Sequence, residues 1–352
     1  ELQKRRSRNT PRPMISSTLN KITPQKDYPY MNARVKAKGA KLLDYQDYQQ
    51  LVKMEENEIS RKLEEGVYKK EINELASSLN GAKLVEKALT KNLNRELSHL
   101  AEISPEKIED IIQSYIKKID LKVYKQLIKW KKSSQEQEIE DIVSPGYRLD
   151  KERINELSEK GIEDILDTMD LDMEELDVPE VKPSDSIEEL ERKIDTAYFK
   201  QLLQRAEKTG NQAFIKFVET EIEFENLRNI VRLKERGVED QEIEGRLIDL
   251  GESDLVKQCI NAETYEDMVE RIKESSWSIE SGNAEEVERQ LEIERRNKAM
   301  KLTKTNSLGL ASVLAYILAK TIEVENLRLL IQSKSTGLQS GQEILDNMVI
   351  SR

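Results

Sequence analysis

Residues 222–237 read IEFENLRNIVRLKERG, and residues 322–337 read IEVENLRLLIQSKSTG. When the sequence is shifted against itself by 100 positions, eight of these sixteen residues are identical. Apolar residues recur in both stretches at intervals of three, four and seven, which is the spacing of one face of an α-helix. Both stretches are therefore predicted to be long helices that bury the same stripe, and the repeat indicates a fold of similar helical units.

The repeat extends beyond these two stretches. A weaker third copy begins at Ile119, at an offset of 103, and leads to Lys131. Shorter amphipathic elements follow the two strong copies near residues 242–247 and 343–348, so each unit is predicted to include at least a helical hairpin. Upstream, the apolar register continues without a gap through the aligned pairs Phe214 and Leu314, Phe217 and Ile317, and Val218 and Leu318.

Composition supports a helical fold. Of the 352 residues 36% are charged and 5% are aromatic, and there are 13 Gly and 8 Pro. A chain with so few aromatic, glycine and proline residues is poorly suited to β-sheets and tight turns. The prediction is an all-α protein of three similar units of about 100 residues each. We place these units at residues 28–145, 146–245 and 246–352.

Residues 1–27 differ from the rest of the chain. Prolines stand at three positions, acidic residues are few, and the segment is interpreted as a flexible basic tail. It is either a solvated extension or an arm that contacts an acidic partner or an anionic lipid surface. The basic residues are Lys4, Arg5, Arg6, Arg8, Arg12, Lys21 and Lys26.

Two helix starts can be placed from capping residues. Ser104, followed by Pro105 in the first turn, predicts a helix that runs to about Lys118. Ser186 and Glu189 have the spacing of a capping box, and they follow a stretch at residues 179–185 that is a plausible linker.

Most kinds of catalytic site are excluded by counting. His99 is the only histidine, and no glycine-rich phosphate-binding loop is present. The single Cys259 is interpreted as a small buried residue. An acidic run at residues 163–180 could collect a hard cation, but it lacks the order of ligands found in an EF-hand. We therefore expect no cofactor, no metal and no catalytic residue.

Charge and hydropathy restrict the partners and the location. A net charge of −11 argues against binding nucleic acid. The longest apolar stretch, residues 308–319, is shorter than the roughly 20 residues that a membrane-spanning helix needs. With no secretory signal in the residues given, a cytoplasmic location is expected.

Polar residues of the repeat have two interpretations. Glu225 and Arg228 are spaced as an ion pair on a solvated helical face. An asparagine inside a helix costs up to about 0.7 kcal/mol relative to alanine, so Asn226 and Asn326 need a reason to be there. They either bond a neighbouring helix and set the register between units, which we favour, or face a central cavity that a partner uses.

Four stretches also carry a family resemblance. The first is YMNARVKA at residues 30–37, with 42–43 and 48–51; the others are residues 119–131, 223–237 and 314–334. In order and spacing they resemble the C subunit of archaeal-type ATP synthases, which is similar to the d subunit of V-type ATPases. The resemblance covers most of the chain, from Tyr28 to Val349. It departs from the family pattern at Glu325, where an arginine is common.

The resemblance implies a funnel of three units around a pseudo-threefold axis. Such a protein is a non-catalytic rotor part at the cytoplasmic face of the cell membrane, peripheral to it, with the central stalk subunits and the membrane proteolipid ring as partners. A helical-repeat scaffold that binds proteins outside any motor is the alternative. An enzyme built on residues 163–180 is a more distant one. The candidate structural or partner-facing residues are Asn32, Arg34, Asp120, Glu223, Glu225, Asn226, Arg228, Lys234, Glu323, Glu325, Asn326, Arg328 and Lys334.

Overall fold

The computed structural model describes residues 28–350, apart from 134–137, 144, 172, 251–252, 306–309 and 338. All regular structure in these residues is helical, which confirms the predicted all-α class. The basic tail at residues 1–27 lies outside the described residues. None of the described helices is both long enough and apolar enough to cross a membrane.

Seventeen helices are described. They are α1 Tyr28–Gly39, α2 Tyr45–Leu51, α3 Glu56–Glu64, α4 Lys69–Leu75, α5 Gly81–Ile103, α6 Glu106–Lys132, α7 Ile139–Ile142, α8 Lys151–Ser158, α9 Ile162–Asp167, α10 Ile187–Thr209, α11 Gln212–Glu235, α12 Asp240–Glu244, α13 Asp254–Ile260, α14 Tyr265–Glu274, α15 Ala284–Thr305, α16 Leu310–Thr336 and α17 Gly341–Asp346.

Three pairs of long helices form the frame. Each pair is consecutive in the chain, as α5 and α6, α10 and α11, and α15 and α16, and the three copies of the repeat lie in α6, α11 and α16. Each of these six helices packs against the next in chain order, and α16 packs back against α5. The six helices therefore form a closed ring. The unit boundaries and the pseudo-threefold axis stay predictions.

Local residues set the turns within these pairs. Ser186 caps α10, since its side chain accepts a hydrogen bond from the Glu189 N–H, which is one of the two bonds of the predicted capping box. Gly210, with a φ of 63°, ends α10 in a left-handed conformation that suits glycine. The side chain of Asn211 then caps α11 by accepting from two backbone N–H groups. The pair α10 and α11 can thus reverse direction within a few residues.

The prediction for the helix after Ser104 was wrong in two respects. Ser104 does not cap α6; its hydroxyl donates to the Leu100 carbonyl at 2.5 Å, within the end of α5. The helix also continues past Lys118 to Lys132. No glycine or proline occurs between residues 106 and 132, so nothing in the sequence stops the helix at Lys118.

Two large apolar cores support the ring. The larger cluster includes the predicted stripes of α11 and α16, with Phe214, Phe217 and Leu314 all 1% exposed or less. A second cluster joins the later half of α11 to residues 243–291 and has Trp277 among its fully buried side chains. Helix α11 passes through both cores and so links them.

Asn226 and Asn326 perform the same structural task. The Asn226 side chain donates to the Ile248 carbonyl at 3.0 Å and accepts from the Ile248 N–H at 2.9 Å. Asn326 makes the same two bonds to Val349, at 3.0 and 2.9 Å. Each asparagine thereby holds the segment that follows a short helix, α12 or α17. The expected partner, a neighbouring helix, was wrong.

Replacing Asn226 with alanine should lower the free energy of unfolding by about 2 kcal/mol, because the Ile248 N–H and carbonyl lose their partner in a buried site. Urea denaturation followed by circular dichroism measures this loss. Asn229→Ala is the matched control, since it makes the same substitution one turn later on the cavity side and should cost under about 0.5 kcal/mol. Equal losses in the two variants would contradict the assigned role.

Candidate functional site

A cavity of about 870 Å³ lies inside the helical ring. All six long helices contribute residues to its wall. The largest share comes from α6, α11 and α16, the helices that carry the repeat. The repeated sequence is therefore the part of the chain that surrounds this space.

Equivalent positions of the three copies line the cavity together. Four positions do so, at spacings of three, four and seven residues, so each repeat helix presents one face to the cavity. On α6, α11 and α16 these positions are Lys122, Glu225 and Glu325; Lys125, Arg228 and Arg328; Gln126, Asn229 and Leu329; and Lys129, Arg232 and Gln332.

The cavity wall carries more cations than anions, although the whole chain has a net charge of −11. Clustering charges of one sign in a concave, partly desolvated wall strengthens their field and favours an anionic occupant. The eleven basic lining residues are Lys118, Lys122, Lys125, Lys129, Arg192, Arg228, Arg232, Arg236, Arg246, Arg295 and Arg328, against the six acids Glu188, Glu191, Asp195, Glu225, Glu292 and Glu325.

Buried ion pairs at the cavity wall connect the three consecutive helix pairs, or hairpins, which are α5 with α6, α10 with α11, and α15 with α16. Glu221 on α11 is 1% exposed, and its carboxylate lies 3.2 Å from Lys118 on α6 and 3.2 Å from Arg295 on α15. Glu225, one turn further, lies 2.8 Å from Lys118 and 2.6 Å from Arg228. Charges from three hairpins thus meet in one cluster.

This cluster contradicts one prediction. Glu225 and Arg228 do form an ion pair, but Glu225 is buried rather than on a solvated face. Burial raises the pKa of Glu225, while the cations Arg228 and Lys118 lower it more strongly, so the pKa lies well below its ordinary value. The Glu225 carboxylate is therefore charged at neutral pH.

Other ion pairs extend around the cavity. Lys122 on α6 pairs with Glu325 on α16 at 2.9 Å, and Lys125 on α6 pairs with Asp195 on α10 at 2.7 Å. Glu325 thereby gains a lysine partner on a different helix. Burial raises the pKa of Asp195, and Lys125 opposes this shift only in part.

The remaining cations of the wall differ in how they are held. Arg328 donates to the Thr90 hydroxyl at 2.8 Å and so joins α16 to α5. Within the described part of the chain, the side chains of Arg192 and Arg236 form no ion pair or hydrogen bond. These two arginines are the cations of the wall that are available to an anionic partner.

One set of predicted acidic positions in the repeat anchors other segments and does not line the cavity. Asp120, Glu223 and Glu323 occupy the same position in the three copies. Asp120 accepts from the Tyr147 and Arg148 N–H groups, at 2.6 and 3.0 Å. Burial raises its pKa even though these backbone donors lower it.

The other two acids are held by different donors. Glu223 accepts from the Ser253 hydroxyl at 2.7 Å and from the Trp277 indole at 2.8 Å. Glu323 accepts from the Tyr68 hydroxyl at 2.6 Å and pairs with Lys320 at 2.7 Å, in a site where all three side chains are buried. Each acid thus connects its repeat helix to a segment outside the repeat.

The rest of the predicted residues do not meet at one site. Asn32 is buried in α1, whereas Arg34 on the same helix is exposed. Lys234 pairs with Asp240 at 2.6 Å and donates to the Ala262 carbonyl at 2.7 Å. Lys334 lies half-exposed in the last turn of α16.

Sequence reasoning missed Lys118, Glu221, Glu292 and Arg295. One usable signal was available: from Glu225, the polar residues Arg228, Asn229 and Arg232 follow the spacing of a single helix face. No such sequence spacing indicates that Arg295 belongs to the cavity wall, because its partner Glu221 lies on another helix.

The residues considered for other chemistry have ordinary roles. Burial raises the pKa of the Cys259 thiol to about 12, so it is not an activated nucleophile. His99 is partly exposed on α5. Within the described ranges, no group of three or more His, Cys, Asp or Glu residues is arranged to hold a metal ion. Asp172, in the middle of the acidic run, lies outside those ranges.

Comparison with known proteins agrees with this architecture. The family model described as the ATP synthase (C/AC39) subunit matches residues 31–342, nearly the whole chain. The chain belongs to the ATP synthase (C/AC39) subunit family.

Relatives in archaea are similar over most of their length. The C subunit of the A-type ATP synthase of Methanococcoides burtonii is 30% identical over 357 residues, covering 95% of this chain and 97% of the relative. Those of Haloquadratum walsbyi and Archaeoglobus fulgidus are 30% and 29% identical, covering 89% and 91% of this chain and 96% of each relative. As a family member, the chain is part of an ATP synthase, with partners inside that complex and a part in ATP synthesis and ion transport.

Arg295→Met should lower the free energy of unfolding by about 3 to 5 kcal/mol, since the guanidinium of Arg295 pairs with the buried Glu221 and, at 3.1 Å, with the partly buried Glu292. Urea denaturation at neutral pH provides the measurement. Arg232→Met is the control: Arg232 pairs with Glu288, its own side chain is 49% exposed, and its loss should cost under about 1 kcal/mol.

The loss in Arg295→Met should also depend on pH. Burial already raises the pKa of Glu292, and removing Arg295 raises it further. The folded variant then binds more protons than the unfolded chain, so its deficit should shrink from about pH 7.5 to about pH 5. A deficit that is constant over this range would contradict the proposed cause.

Proposed function

We propose that this chain is a non-catalytic rotor component that couples the central stalk of an A-type ATP synthase to the membrane proteolipid ring. It lies at the cytoplasmic face of the membrane, peripheral to it, and the cavity is the socket that receives the end of the stalk. The observation that carries this proposal is one cavity lined by the same face of three repeat helices. This arrangement is consistent with the proposed pseudo-threefold funnel.

The size of the cavity suits a helical end. An α-helix with its side chains is about 10 Å across and rises 5.4 Å per turn, so two turns fill roughly 850 Å³. The cavity volume is about 870 Å³. The socket therefore suits about two turns of one helix, and its excess of cations favours a stalk end that carries acidic residues.

The frame also suits a part that transmits torque. The ring is closed, and buried ion pairs join α6, α11 and α15 at the cavity wall. Separating the hairpins would leave charges buried without partners, so the ring resists shear. Such a part works through rigidity and contact surfaces and needs no active site.

The scaffold alternative fits less well. An open helical-repeat solenoid contacts only its neighbours along the chain, so its first and last repeats stay apart. Here α16 of the last hairpin packs against α5 of the first. The closed ring thus supports a socket rather than an open groove.

Reversing the charge at the two available cavity arginines, with Arg192→Glu and Arg236→Glu in one variant, should weaken association with the stalk subunits at least tenfold. Like charges would then face an acidic stalk end. The measurement is native mass spectrometry of complexes purified in mild detergent, where the wild-type chain is expected at one copy per complex with the catalytic subunits and the proteolipid ring.

The control variant, Arg61→Glu with Lys83→Glu, reverses the charge at two exposed residues outside the cavity. It should leave assembly unchanged. If both variants assemble equally, the cavity is not the stalk-binding surface. Purification of the wild-type chain in a stable complex without ATPase subunits would instead overturn the rotor function itself and favour the scaffold.

A further inference from the structure

A groove of about 740 Å³ is lined by ten residues between positions 166 and 181, at the end of α9 and in the segment that leads to α10, and it shares no lining residue with the central cavity. Met169 and Val178 on its floor are buried, and the floor continues into a small cluster that includes Ala197 of α10. This groove belongs to no site described above. Its apolar lining residues are Leu166, Met169, Leu171, Met173, Val178 and Val181.

The rim of the groove is acidic. Four exposed carboxylates line it, and no lysine or arginine does. Asp170 is partly neutralised by Lys117 at 3.4 Å. The other three, Asp167, Glu174 and Glu180, form no ion pair with any residue that the structure describes. An apolar floor within a negative rim suits a segment that is both apolar and cationic.

The chain itself contains such a segment. Residues 1–26 hold seven lysines and arginines and one acid, Glu1. They also contain Met14, Ile15, Leu19 and Ile22, which follow the main basic block. We propose that residues 1–26 bind in this groove, with the basic block against the acidic rim and the apolar residues on the floor.

The distance between the two parts allows this contact. Near the start of α1, Met31 accepts a hydrogen bond from Ser104, which lies just before α6. Lys117, which contacts the groove rim at Asp170, lies thirteen residues further along the chain. This is about 20 Å along the helix at 1.5 Å per residue. Sixteen residues between Arg12 and Tyr28 can span about 50 Å when extended.

Attachment to the same chain favours the groove over a separate partner. A covalent tether of suitable length gives an effective concentration in the millimolar range, so even a weak contact is occupied. The central cavity is a poor competitor for this segment, because its wall already has an excess of cations. Charge therefore directs the basic segment to the groove rather than to the socket.

Site-directed cross-linking in the chain of residues 1–352 tests the proposal. One cysteine replaces Ser7 in the basic block and a second replaces Glu174 at the rim, and a short bis-maleimide joins them; the native Cys259 is fully buried. Cross-linking should be at least tenfold faster than in a control with Ser7→Cys and Glu266→Cys, since Glu266 is also exposed but lies on α14. Mass spectrometry of dilute samples identifies the products.

Charge dependence provides the second measurement. In the variant that carries Ser7→Cys and Glu174→Cys, which is the groove pair, the added substitutions Arg5→Glu, Arg6→Glu and Arg8→Glu should reduce the cross-linking rate to that of the control. About 1 M salt should also slow cross-linking in the groove pair, because surface charges are then screened. Equal rates in the groove and control pairs would overturn the proposal. So would a product that joins two molecules, which would assign the groove to a second copy. Neither outcome depends on whether the chain is a rotor component.

Discussion

The Glu221 carboxylate is the point on which the ring depends. It is almost completely buried, and its two nearby cations, Lys118 and Arg295, come from the hairpins on either side. A buried charge without its partners costs several kcal/mol, whereas an exposed ion pair contributes little. The three hairpins are therefore held in one arrangement by charge as well as by apolar packing, and the cavity takes its shape from that arrangement.

The repeat made the frame predictable from sequence. Aligned positions such as Phe214 and Leu314 proved to be buried at the same place on α11 and α16, because helical periodicity shows which residues share a face. Asn226 and Asn326 were recognised as unusual for the same reason, since polar residues kept inside a helix need partners. Their partners proved to be the backbone of Ile248 and Val349, which sequence spacing alone could not show.

The cavity wall was harder to predict, because its contacts join residues that are distant in sequence. Lys118 and Glu221 are 103 positions apart, and neither residue has a local pattern that indicates the other. Local rules suggested that Glu225 was a solvated charge, since Arg228 follows at the usual spacing for an exposed pair. Burial of Glu225 arises from the closure of the ring, which is a property of the whole chain.

The contact between α16 and α5 also has a consequence for how the protein is made. Gln332 and Glu86, which meet across this seam, are separated by 246 positions, and Arg328 and Thr90 by 238. During synthesis the first hairpin therefore emerges long before its final neighbour exists. Contacts of such high sequence separation form late and slowly. The surface of α5 that α16 covers must stay exposed until α16 has been synthesised, so the ring cannot close during synthesis of the first two hairpins.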